Sequence, residues 1–470
     1  MIKMSVRLRL HSLSEDNGGG LMFKKILIAN RGEIAVRIIR ACREMGIISV
    51  AVYSEADRDA LHVQLADEAV CIGGPASKDS YLNIQNILSA TVLTGAEAIH
   101  PGFGFLSENS KFAKICSECN IVFIGPDSES IDLLGNKSRA REIMKEADIP
   151  IIPGTEGALE SEEHAFEMAE EIGYPVMIKA AAGGGGRGIR IVYNKEELAK
   201  AYNTAKSEAQ ACFNDDTLYM EKYIDKPRHI EFQILGDKYG NIIHLGEREC
   251  SVQRKNQKVL EEAPSNILTP QLREEMGAAA VKAAKKVGYY NAGTVEFLVD
   301  SDLNYYFMEM NTRVQVEHPI TELITGVDIV KQQIKIAAGE KLELKQEDIR
   351  LRGHAIECRI NAEDPNNDFR PSPGRIIGLN MPGGPGVRVD SAVYQGYVIP
   401  PYYDSMVAKL IVHSENRSSA IARMKRALGE LLIEGIVTNI DFQFDILCDE
   451  RFVKGDYNTS FLKDKLVKSE

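Results

Sequence analysis

The sequence contains no apolar run that approaches the roughly 18 residues of a membrane span, so we expect no membrane partner. It also lacks an excess of basic residues, because 56 Lys and Arg stand against 68 Asp and Glu, for a net charge of -12. A uniformly acidic chain binds nucleic acids and anionic membranes poorly, so no nucleic-acid partner is expected either. With 470 residues, the chain is long enough for about two to four globular domains.

Paired cysteines are also scarce. Eight cysteines are scattered along the chain, which is typical of the reducing cytoplasm, where we expect the protein to reside. Cys116 and Cys119 form the one close pair in the sequence, and a C-x-x-C without a second pair of ligands is weak evidence for zinc. Because the pair lies in a helix-like stretch, we interpret both residues as thiols without a metal or redox role.

A secretory signal is absent as well. Residues 1–21 are basic, then polar, then glycine-rich, and they have no apolar core of the kind that a signal peptide needs. Glu15 and Asp16 also count against an organelle transit peptide. We interpret residues 1–21 as an N-terminal extension, which is a tail, a tag remnant or the product of an upstream start codon.

Strand-like and helix-like segments alternate over residues 22–135. Apolar runs at 24–29 and 47–53 flank residues 33–45, whose apolar positions have helical spacing. This alternation predicts an N-terminal α/β domain with a doubly wound parallel sheet. The dinucleotide fingerprint that often follows the first strand of such a sheet is missing, because the chain continues as NRGE at 30–33.

Three further segments follow this domain. Residues 136–152 read as a linker, and residues 153–223 as a small α+β unit that we call the lid. Residues 224–470 are rich in strand patterns, and TVEFLVDSDLNYYFMEMNTR at 294–313 reads as a hairpin around a polar turn. The C-terminal domain is therefore expected to be a largely antiparallel α+β structure.

Four consecutive glycines, residues 183–186, follow an apolar run in the lid. No Gly-Lys-Ser/Thr closes a Walker loop, and IRIVYN after Gly188 reads as a strand and not as the helix of a dinucleotide site. The remaining interpretation is a strand–loop–strand hairpin whose amides approach the phosphates of a nucleotide, with Lys179 and Arg187 adding positive charge. A flexible linker is the alternative, although linkers usually contain Ser, Pro or acidic residues.

Two carboxylates interrupt the apolar strands of the predicted hairpin. Glu309 and Asn311 are two residues apart and share a face, and antiparallel pairing can bring Glu296 beside them. Two carboxylates and an amide oxygen form a site that suits Mg²⁺ shared with phosphates. Ordinary cross-strand polar pairing is the alternative, but carboxylates within apolar runs repel one another unless a cation is present.

A charged segment follows the hairpin. Arg313, Gln315 and Glu317 alternate and share a face if the segment is extended, which places a cation, an amide and a carboxylate together. Such a face is able to hold a small anion and remove its proton. His318 is a second candidate base, but a His before Pro is as often structural, and we favour Glu317.

Several longer motifs occur in one order along the chain. They are IANRGE at 28–33, HPGFGFLSEN at 100–109, the glycine loop, EMNTRVQVEHP at 309–319 and ECRINAEDP at 357–365. With these motifs the chain resembles biotin carboxylase, the ATP-grasp subunit of acetyl-CoA carboxylase that is also found in pyruvate and acyl-CoA carboxylases. The resemblance extends from about residue 24 to the last helices and excludes residues 1–21.

The resemblance implies an ATP-grasp fold in which ATP and Mg²⁺ (or Mn²⁺) bind between a mobile lid and the C-terminal domain. Carried over by motif, the implied ATP-binding residues are Lys137, Lys179, Gly185, Gly186, Glu221, Lys222, Ile224, His229, Gln253, Glu296 and Glu309. The implied metal ligands are Glu296 and Glu309, with Asn311 close by.

The resemblance also implies a reaction, in which bicarbonate and ATP form carboxyphosphate and then carboxylate a biotin group. Bicarbonate is expected to meet Lys258, Arg313, Gln315 and Val316, and Glu317 to take its proton. Arg359 is expected to bind biotin and stabilise its enolate. Lys258, Arg313, Glu317 and Arg359 are therefore the implied catalytic residues.

Two positions depart from the family pattern, and one expected component is missing. Phe103 stands where the family often has Tyr, which removes a hydroxyl, and Asn256 stands where it often has His. Neither Lys3 nor Lys425 lies in the small β-domain of a biotin carrier. The implied partners are therefore a separate biotin carboxyl carrier protein, carboxyltransferase subunits and a second copy of the chain.

Two other functions compete with this one. Another ATP-grasp ligase would form an acyl phosphate and capture it with an amine, but Arg313, Glu317 and Arg359 favour bicarbonate over a larger acid. A nucleotide-sensing protein without turnover has no need of a base, whereas this chain has Lys258, Glu317 and Arg359 beside the metal carboxylates. The sequence leaves open whether acetyl-CoA, pyruvate or another acyl-CoA finally receives the carboxyl group.

Overall fold

The computed structural model describes residues 22–155, 157–180, 189–213 and 215–467. Three predictions fall outside the described residues: the extension 1–21, the loop glycines Gly185 and Gly186, and the charge of Arg187. The side chain of Lys137 is likewise outside the description, although its backbone begins a helix.

A parallel sheet of five strands forms the first domain, in the order β3-β2-β1-β4-β5. Its elements are β1 Lys25–Ile28, α1 Gly32–Glu44, β2 Ile48–Tyr53, α2 Leu61–Leu65, β3 Glu68–Cys71, α3 Ile84–Thr94, β4 Ala98–His100, α4 Ser110–Glu118 and β5 Val122–Phe123. The β1 residues Ile26, Leu27 and Ile28 are completely buried because helices cover both faces of the sheet. The predicted doubly wound sheet is confirmed.

Two helices connect this domain to the lid. They are α5 Ser128–Gly135 and α6 Lys137–Glu146. The Asn136 side chain caps α6 by accepting a hydrogen bond from the backbone N–H of Arg139. The buried residues Ala140 and Met144 belong to the same apolar cluster as the central strands. The predicted linker, residues 136–152, therefore contains a packed helix.

The lid is a three-stranded antiparallel sheet with two helices. Its elements are α7 Glu162–Ile172, β6 Val176–Ala180, β7 Ile189–Val192, α8 Lys195–Phe213 and β8 Leu218–Lys222, with the strand order β7-β6-β8. Strand β7 pairs antiparallel with β6, so the chain after Gly188 is a strand, as the sequence predicts. The glycine segment thus connects two adjacent strands.

An eight-stranded antiparallel sheet dominates the remaining chain, in the order β13-β12-β9-β10-β11-β14-β21-β19. The first elements are β9 Arg228–Gly236, β10 Ile242–Arg254, β11 Gln257–Ala263, α9 Pro270–Lys286, β12 Asn291–Val299, β13 Tyr305–Asn311, α10 His318–Thr325, α11 Ile329–Ala337 and β14 His354–Asn361. The later elements are β15 Glu363–Asp364, β16 Arg370–Pro371, β17 Gly374–Arg375, β18 Gly378–Asn380, β19 Val387–Ser391, β20 Val398–Ile399, β21 Met406–Ser414, α12 Arg417–Glu430, β22 Leu432–Glu434, α13 Ile440–Cys448, α14 Glu450–Lys454 and α15 Phe461–Val467. The largely antiparallel C-terminal domain is confirmed.

The parallel-sheet domain packs directly on the large sheet. One apolar cluster includes Ile34 and Ile38 of α1 together with Leu245 of β10 and Ile334 of α11. In the same contact, Arg37 donates hydrogen bonds to Glu322 and Asp328 of the C-terminal domain. The domains therefore share a core, and the polar ends of their strands and loops meet at one cleft.

Candidate active site

An open cleft of about 1160 Å³ lies where the lid, the parallel-sheet domain and the large sheet meet. Among the sequence-predicted residues, its lining includes Lys179, Glu221, Lys222, Ile224, His229, Gln253, Lys258, Glu296, Glu309, Asn311, Arg313, Gln315, Val316 and Arg359. Glu317 lies beneath this surface and is completely buried. Residues from distant parts of the chain thus converge on one cavity large enough for a nucleotide and a small anion.

Three carboxylates stand in one row across adjacent strands. Glu296 of β12 is directly opposite Glu309 of β13 on one side and Glu231 of β9 on the other. Glu231 and Glu296 are buried, and burial alone raises the pKa of each, but neighbouring cations outweigh burial and lower both pKa values. The carboxylate pair of Glu296 and Glu309 therefore fits a hard cation such as Mg²⁺.

The surroundings of Glu296 are rich in donors. His229 Nε2 lies 2.8 Å from Glu296 Oε2, while Asn311 Nδ2 and Gln315 Nε2 donate to Oε1 at 2.8 and 2.9 Å. Gln253 Nε2 contacts the other ring nitrogen of His229 at 2.6 Å. The hairpin prediction is thereby confirmed in register, and Asn311 turns its amide nitrogen, not its oxygen, toward Glu296.

Lys258 of β11 is the cation at the centre of this acidic surface. Its Nζ lies 2.5 Å from Glu231, 3.0 Å from Glu296 and 2.7 Å from Glu317. Burial lowers the pKa of Lys258, but the three carboxylates outweigh burial and raise its pKa well above the usual value. Lys258 therefore stays charged and brings Glu231, Glu296 and the predicted base Glu317 together at one point.

Glu317 lies between two cations. Lys258 Nζ donates to its Oε1, and Arg359 Nη2 donates to its Oε2 at 2.9 Å. Burial alone raises the pKa of Glu317, but Lys258 and then Arg359 outweigh burial and lower it. The carboxylate is therefore ionised at neutral pH and is able to accept a proton.

Arg359 of β14 is held by two carboxylates. Its Nε donates to Glu261 Oε1 at 2.6 Å, in addition to the contact with Glu317. Burial raises the pKa of Glu261 to about 7, because it outweighs the opposing charge of Arg359. The fork geometry of the guanidinium fixes its orientation toward the cleft.

The segment that carries Arg313, Gln315 and Glu317 is not a strand, so these side chains do not share the face of an extended chain. They nevertheless meet, because Arg313 Nη1 donates to Gln315 Oε1 at 2.8 Å and Gln315 contacts Glu296. Arg313 Nε also donates to Glu108 at 2.8 Å. The cation, the amide and the carboxylate are therefore gathered by a turn at the start of α10.

The lid contributes the other end of the cleft. Glu221 of β8 accepts hydrogen bonds from Lys179 of β6 and from Arg141 of α6. Lys222 donates to the carbonyls of Gly173 and Tyr174 at 2.8 and 2.9 Å. The ammonium group of Lys222 thus forms these hydrogen bonds within the lid.

Four charged residues that contact the predicted site were not identified from the sequence: Glu231, Arg248, Glu261 and Arg141. Glu231 interrupts an apolar strand in HIEFQILG as Glu296 does in its own strand, so the same signal was available. Arg248 is completely buried and donates to Glu231 at 2.5 Å, and no pattern along β10 marks that contact. These residues matter because Glu231 and Glu261 orient Lys258 and Arg359.

The structure shows where the two positions that depart from the family pattern lie. Lys255 and Asn256 form the two-residue turn between β10 and β11, with φ values of 50° and 63°. Asn tolerates this left-handed region, so Asn256 suits the turn. Phe103 lines the cleft, and its carbonyl accepts a hydrogen bond from Asn30 at 2.7 Å.

Three other residues that the sequence analysis considered do not line the cleft. His318 is completely buried, and its Nδ1 lies 2.7 Å from the carbonyl of Gln315, so its ring faces the loop from behind. Cys116 is buried and Cys119 exposed, and both are free thiols.

No helix within the described ranges is long and apolar enough to cross a bilayer.

A glycine-linked antiparallel lid above a sheet that carries aligned carboxylates defines the class of ATP-grasp enzymes. The models of known families agree with this class. Residues 22–131 match the biotin carboxylase N-terminal domain, residues 136–345 the ATP binding domain of the carbamoyl-phosphate synthase L chain, and residues 357–464 the biotin carboxylase C-terminal domain.

Individual relatives cover nearly the whole chain. Biotin carboxylase from Nostoc sp. is 61% identical over 94% of this chain and 99% of its own. A pyruvate carboxylase subunit from Methanothermobacter thermautotrophicus is 57% identical over 94% and 90%. The biotin carboxylase domain dimer of Hydrogenobacter thermophilus 2-oxoglutarate carboxylase, solved with MgADP, ADP and bicarbonate, is 55% identical over 94% and 98%, with a TM-score of 0.87.

The chain therefore belongs to the biotin carboxylase family, and it is an ATP-dependent ligase.

Proposed function

We propose that the protein uses ATP and bicarbonate to carboxylate biotin on a carrier protein, through carboxyphosphate. The observation that carries this proposal is the position of Glu317, a buried carboxylate flanked by Lys258 and Arg359 beside the Glu296–Glu309 pair. A base between two cations suits the activation of a small anion such as bicarbonate next to a metal-bound phosphate. The MgADP and bicarbonate bound by the Hydrogenobacter relative support the same assignment.

In this proposal ATP lies in the cleft beneath the lid. Lys137, Lys179, Gly185 and Gly186 contact its phosphates, while Glu221, Lys222 and Ile224 meet the adenine and His229 and Gln253 lie near the ribose and base. Glu296 and Glu309 would hold Mg²⁺, with Asn311 beside them. The bound ion would offset charge on the transferring phosphoryl group.

Bicarbonate is proposed to bind Lys258, Arg313, Gln315 and Val316 at the side of the cleft nearest Glu317. Glu317 takes the proton of bicarbonate, and the resulting oxyanion attacks the γ-phosphorus of ATP. The bond from phosphorus to the ADP oxygen breaks, so ADP leaves and carboxyphosphate forms. Lys258 and Arg313 stabilise the negative charge that develops on the anion.

Biotin is proposed to enter beside Arg359. Carboxyphosphate breaks down to CO₂ and phosphate, and the phosphate removes the proton from the ureido nitrogen of biotin. The nitrogen then attacks CO₂ to form carboxybiotin. Arg359 stabilises the enolate charge on the ureido oxygen, as a preorganised donor does for an oxyanion.

The wider assignment is acetyl-CoA carboxylase, in which carboxybiotin leads to malonyl-CoA for fatty acid synthesis. The motifs that resemble the ATP-grasp subunit of acetyl-CoA carboxylase support it. A role within a pyruvate or another acyl-CoA carboxylase is the second candidate, favoured by the 57% identical pyruvate carboxylase relative.

The partners and location follow from this role. A biotin carboxyl carrier protein and carboxyltransferase subunits would complete the enzyme, because the described domains include no carrier domain. The dimer of the Hydrogenobacter domain supports a homodimer. We place the protein in the cytoplasm, consistent with the free cysteines among the residues that the structure describes.

One assay tests the proposal. Phosphate release from ATP is measured with bicarbonate, with and without free biotin and with an amine in place of biotin, and carboxybiotin is trapped with labelled bicarbonate. We expect release that depends on both bicarbonate and biotin. Release that depends on an amine would identify a different ATP-grasp ligase, and the absence of release with any of these substrates would identify a nucleotide-binding protein.

The substitution Glu309→Gln is expected to weaken the use of Mg²⁺. It removes one carboxylate of the pair across β12 and β13, so the Mg²⁺ concentration for half-maximal turnover should rise at least about tenfold. A Mg²⁺ titration of biotin-dependent phosphate release measures this change. Asp302→Asn, at the exposed turn of the same hairpin, is the matched control, and an unchanged titration for Glu309→Gln would remove Glu309 from the metal site.

A further inference from the structure

The turn that carries Gln315, Val316 and Glu317 is held from behind by two buried side chains. Lys409 Nζ donates to the Val316 carbonyl at 2.8 Å, and His318 Nδ1 lies 2.7 Å from the Gln315 carbonyl. Both side chains are completely buried, and neither belongs to the lining of the cleft. Two consecutive carbonyls of the turn are therefore anchored away from the cleft.

Lys409 is connected to three parts of the molecule at once. It lies on β21, and its Nζ is 3.1 Å from Glu33 of α1 and 3.9 Å from Asp390 of β19. Burial lowers the pKa of Lys409, but Glu33, Glu357 and Asp390 outweigh burial and raise it. Lys409 therefore stays charged and fixes the turn against both the parallel-sheet domain and the large sheet.

His318 acts from the first turn of α10. Burial lowers its pKa well below the usual value, and the charge of Lys409 lowers it further. The ring is therefore neutral, and the proton on Nδ1 is the one that the Gln315 carbonyl accepts. His318 is poorly placed to act as the base, because its Nδ1 is already a donor to the Gln315 carbonyl and its buried ring does not line the cleft.

Because a peptide bond is planar, fixing its carbonyl also fixes the direction of the N–H group on the other side of the bond. In a trans peptide the C=O and the N–H of the next residue point in opposite directions. The anchored Gln315 carbonyl thus turns the N–H of Val316 away from His318, and the anchored Val316 carbonyl turns the N–H of Glu317 away from Lys409. Successive N–H groups of this kind form a concave site for an anion.

We propose that Lys409 and His318 are positioning residues that aim the backbone N–H groups of Val316 and Glu317 at bicarbonate. The proposal rests on the proposed function, since bicarbonate is the anion that the turn would receive. It assigns to Lys409 a role in the binding of a substrate that it does not touch. It also explains why a cation is buried beside three carboxylates in a region that hydrophobic residues could fill.

The test uses Lys409→Met and His318→Phe, which keep most of the volume and remove one anchor each. Biotin-dependent turnover is measured against bicarbonate, and the Kd of ATP is measured separately. We expect the KM for bicarbonate to rise about tenfold or more, because small displacements of positioning groups can cost up to about 10²-fold. The Kd of ATP should stay at the wild-type value.

Asp390→Asn is the matched control. It removes a charge from the same buried cluster but leaves the bond from Lys409 to the Val316 carbonyl in place. Its thermal stability should fall, while its KM for bicarbonate should match that of the wild type. A rise in KM for Asp390→Asn equal to that for Lys409→Met would show that the effect follows general destabilisation, and the proposal would be rejected.

The outcomes separate this inference from the proposed function. If the wild-type protein shows no turnover that depends on bicarbonate and biotin, the proposed function itself fails, and this inference fails with it. If the wild type is active and the variants keep its KM for bicarbonate, or lose ATP affinity equally, only the positioning role is overturned. Should Lys409→Met fail to fold, His318→Phe decides the question alone.

Discussion

Glu317→Gln is expected to reduce bicarbonate-dependent turnover about 10²–10⁴-fold, the range for removal of a positioned general base. The variant should fold, because Lys258 keeps Glu231 and Glu296 as partners and the amide oxygen still accepts one hydrogen bond. ATP binding should persist, since Glu317 lies beneath the bicarbonate side of the cleft. Steady-state rates and nucleotide titrations measure the two effects.

Glu249→Gln is the matched control for Glu317→Gln. Glu249 is a buried carboxylate of the same sheet, hydrogen-bonded to Ser251 and Ser265 and outside the lining of the cleft. Because Glu249 lies outside the cleft, its replacement should leave turnover near the wild-type rate. Wild-type turnover in Glu317→Gln would assign the proton transfer to another group.

Arg359→Ala is expected to reduce biotin-dependent turnover about 10²–10³-fold, as removal of an oxyanion donor does in other enzymes. The protein should remain folded, because Lys258 still holds Glu317 and because the pKa of Glu261, already raised to about 7, rises further and lets it become neutral. Bicarbonate-dependent ATP hydrolysis without biotin should be less affected than the biotin-dependent rate. This difference assigns Arg359 to the second half of the reaction.

Arg375→Ala, which removes an exposed arginine of β17, provides the control for Arg359→Ala. Nucleotide binding, followed by calorimetry, should be the same in both variants and in the wild type. If Arg359→Ala no longer bound ATP, its role would be structural support of the cleft. If it carboxylated biotin at the normal rate, another group would stabilise the enolate.

Much of the candidate site was accessible from residue order. Glu296 and Glu309 interrupt apolar strands of a hairpin, and antiparallel pairing places them opposite each other, as the structure confirms. The strand after Gly188 was also predictable, because its apolar and β-branched residues have no helical spacing. Local patterns succeed here because pairing within a hairpin depends on neighbours in the chain.

Other contacts depend on strands that are distant in sequence. Glu231, Glu261 and Lys409 lie on different strands, and their roles appear only when the large sheet sets their register with Glu296, Glu357 and Arg359. The extended interpretation of the segment from Arg313 to Glu317 was wrong in form, because helix α10 begins directly after it. The residues still lie close together, because Gln315 donates to Glu296 and Lys258 donates to both Glu296 and Glu317.

The sequence by itself determined the parallel and antiparallel domains, the lid, the family and most of the charged residues that line the cleft. These features follow from periodicity and from motifs within short stretches of chain. Only the tertiary structure decided which carboxylates share Lys258, that Glu317 is buried between two cations and that Lys409 anchors the turn from behind. The physical reason is that the charge state of a buried group depends on all the groups that the fold brings near it, and these groups lie far apart in the sequence.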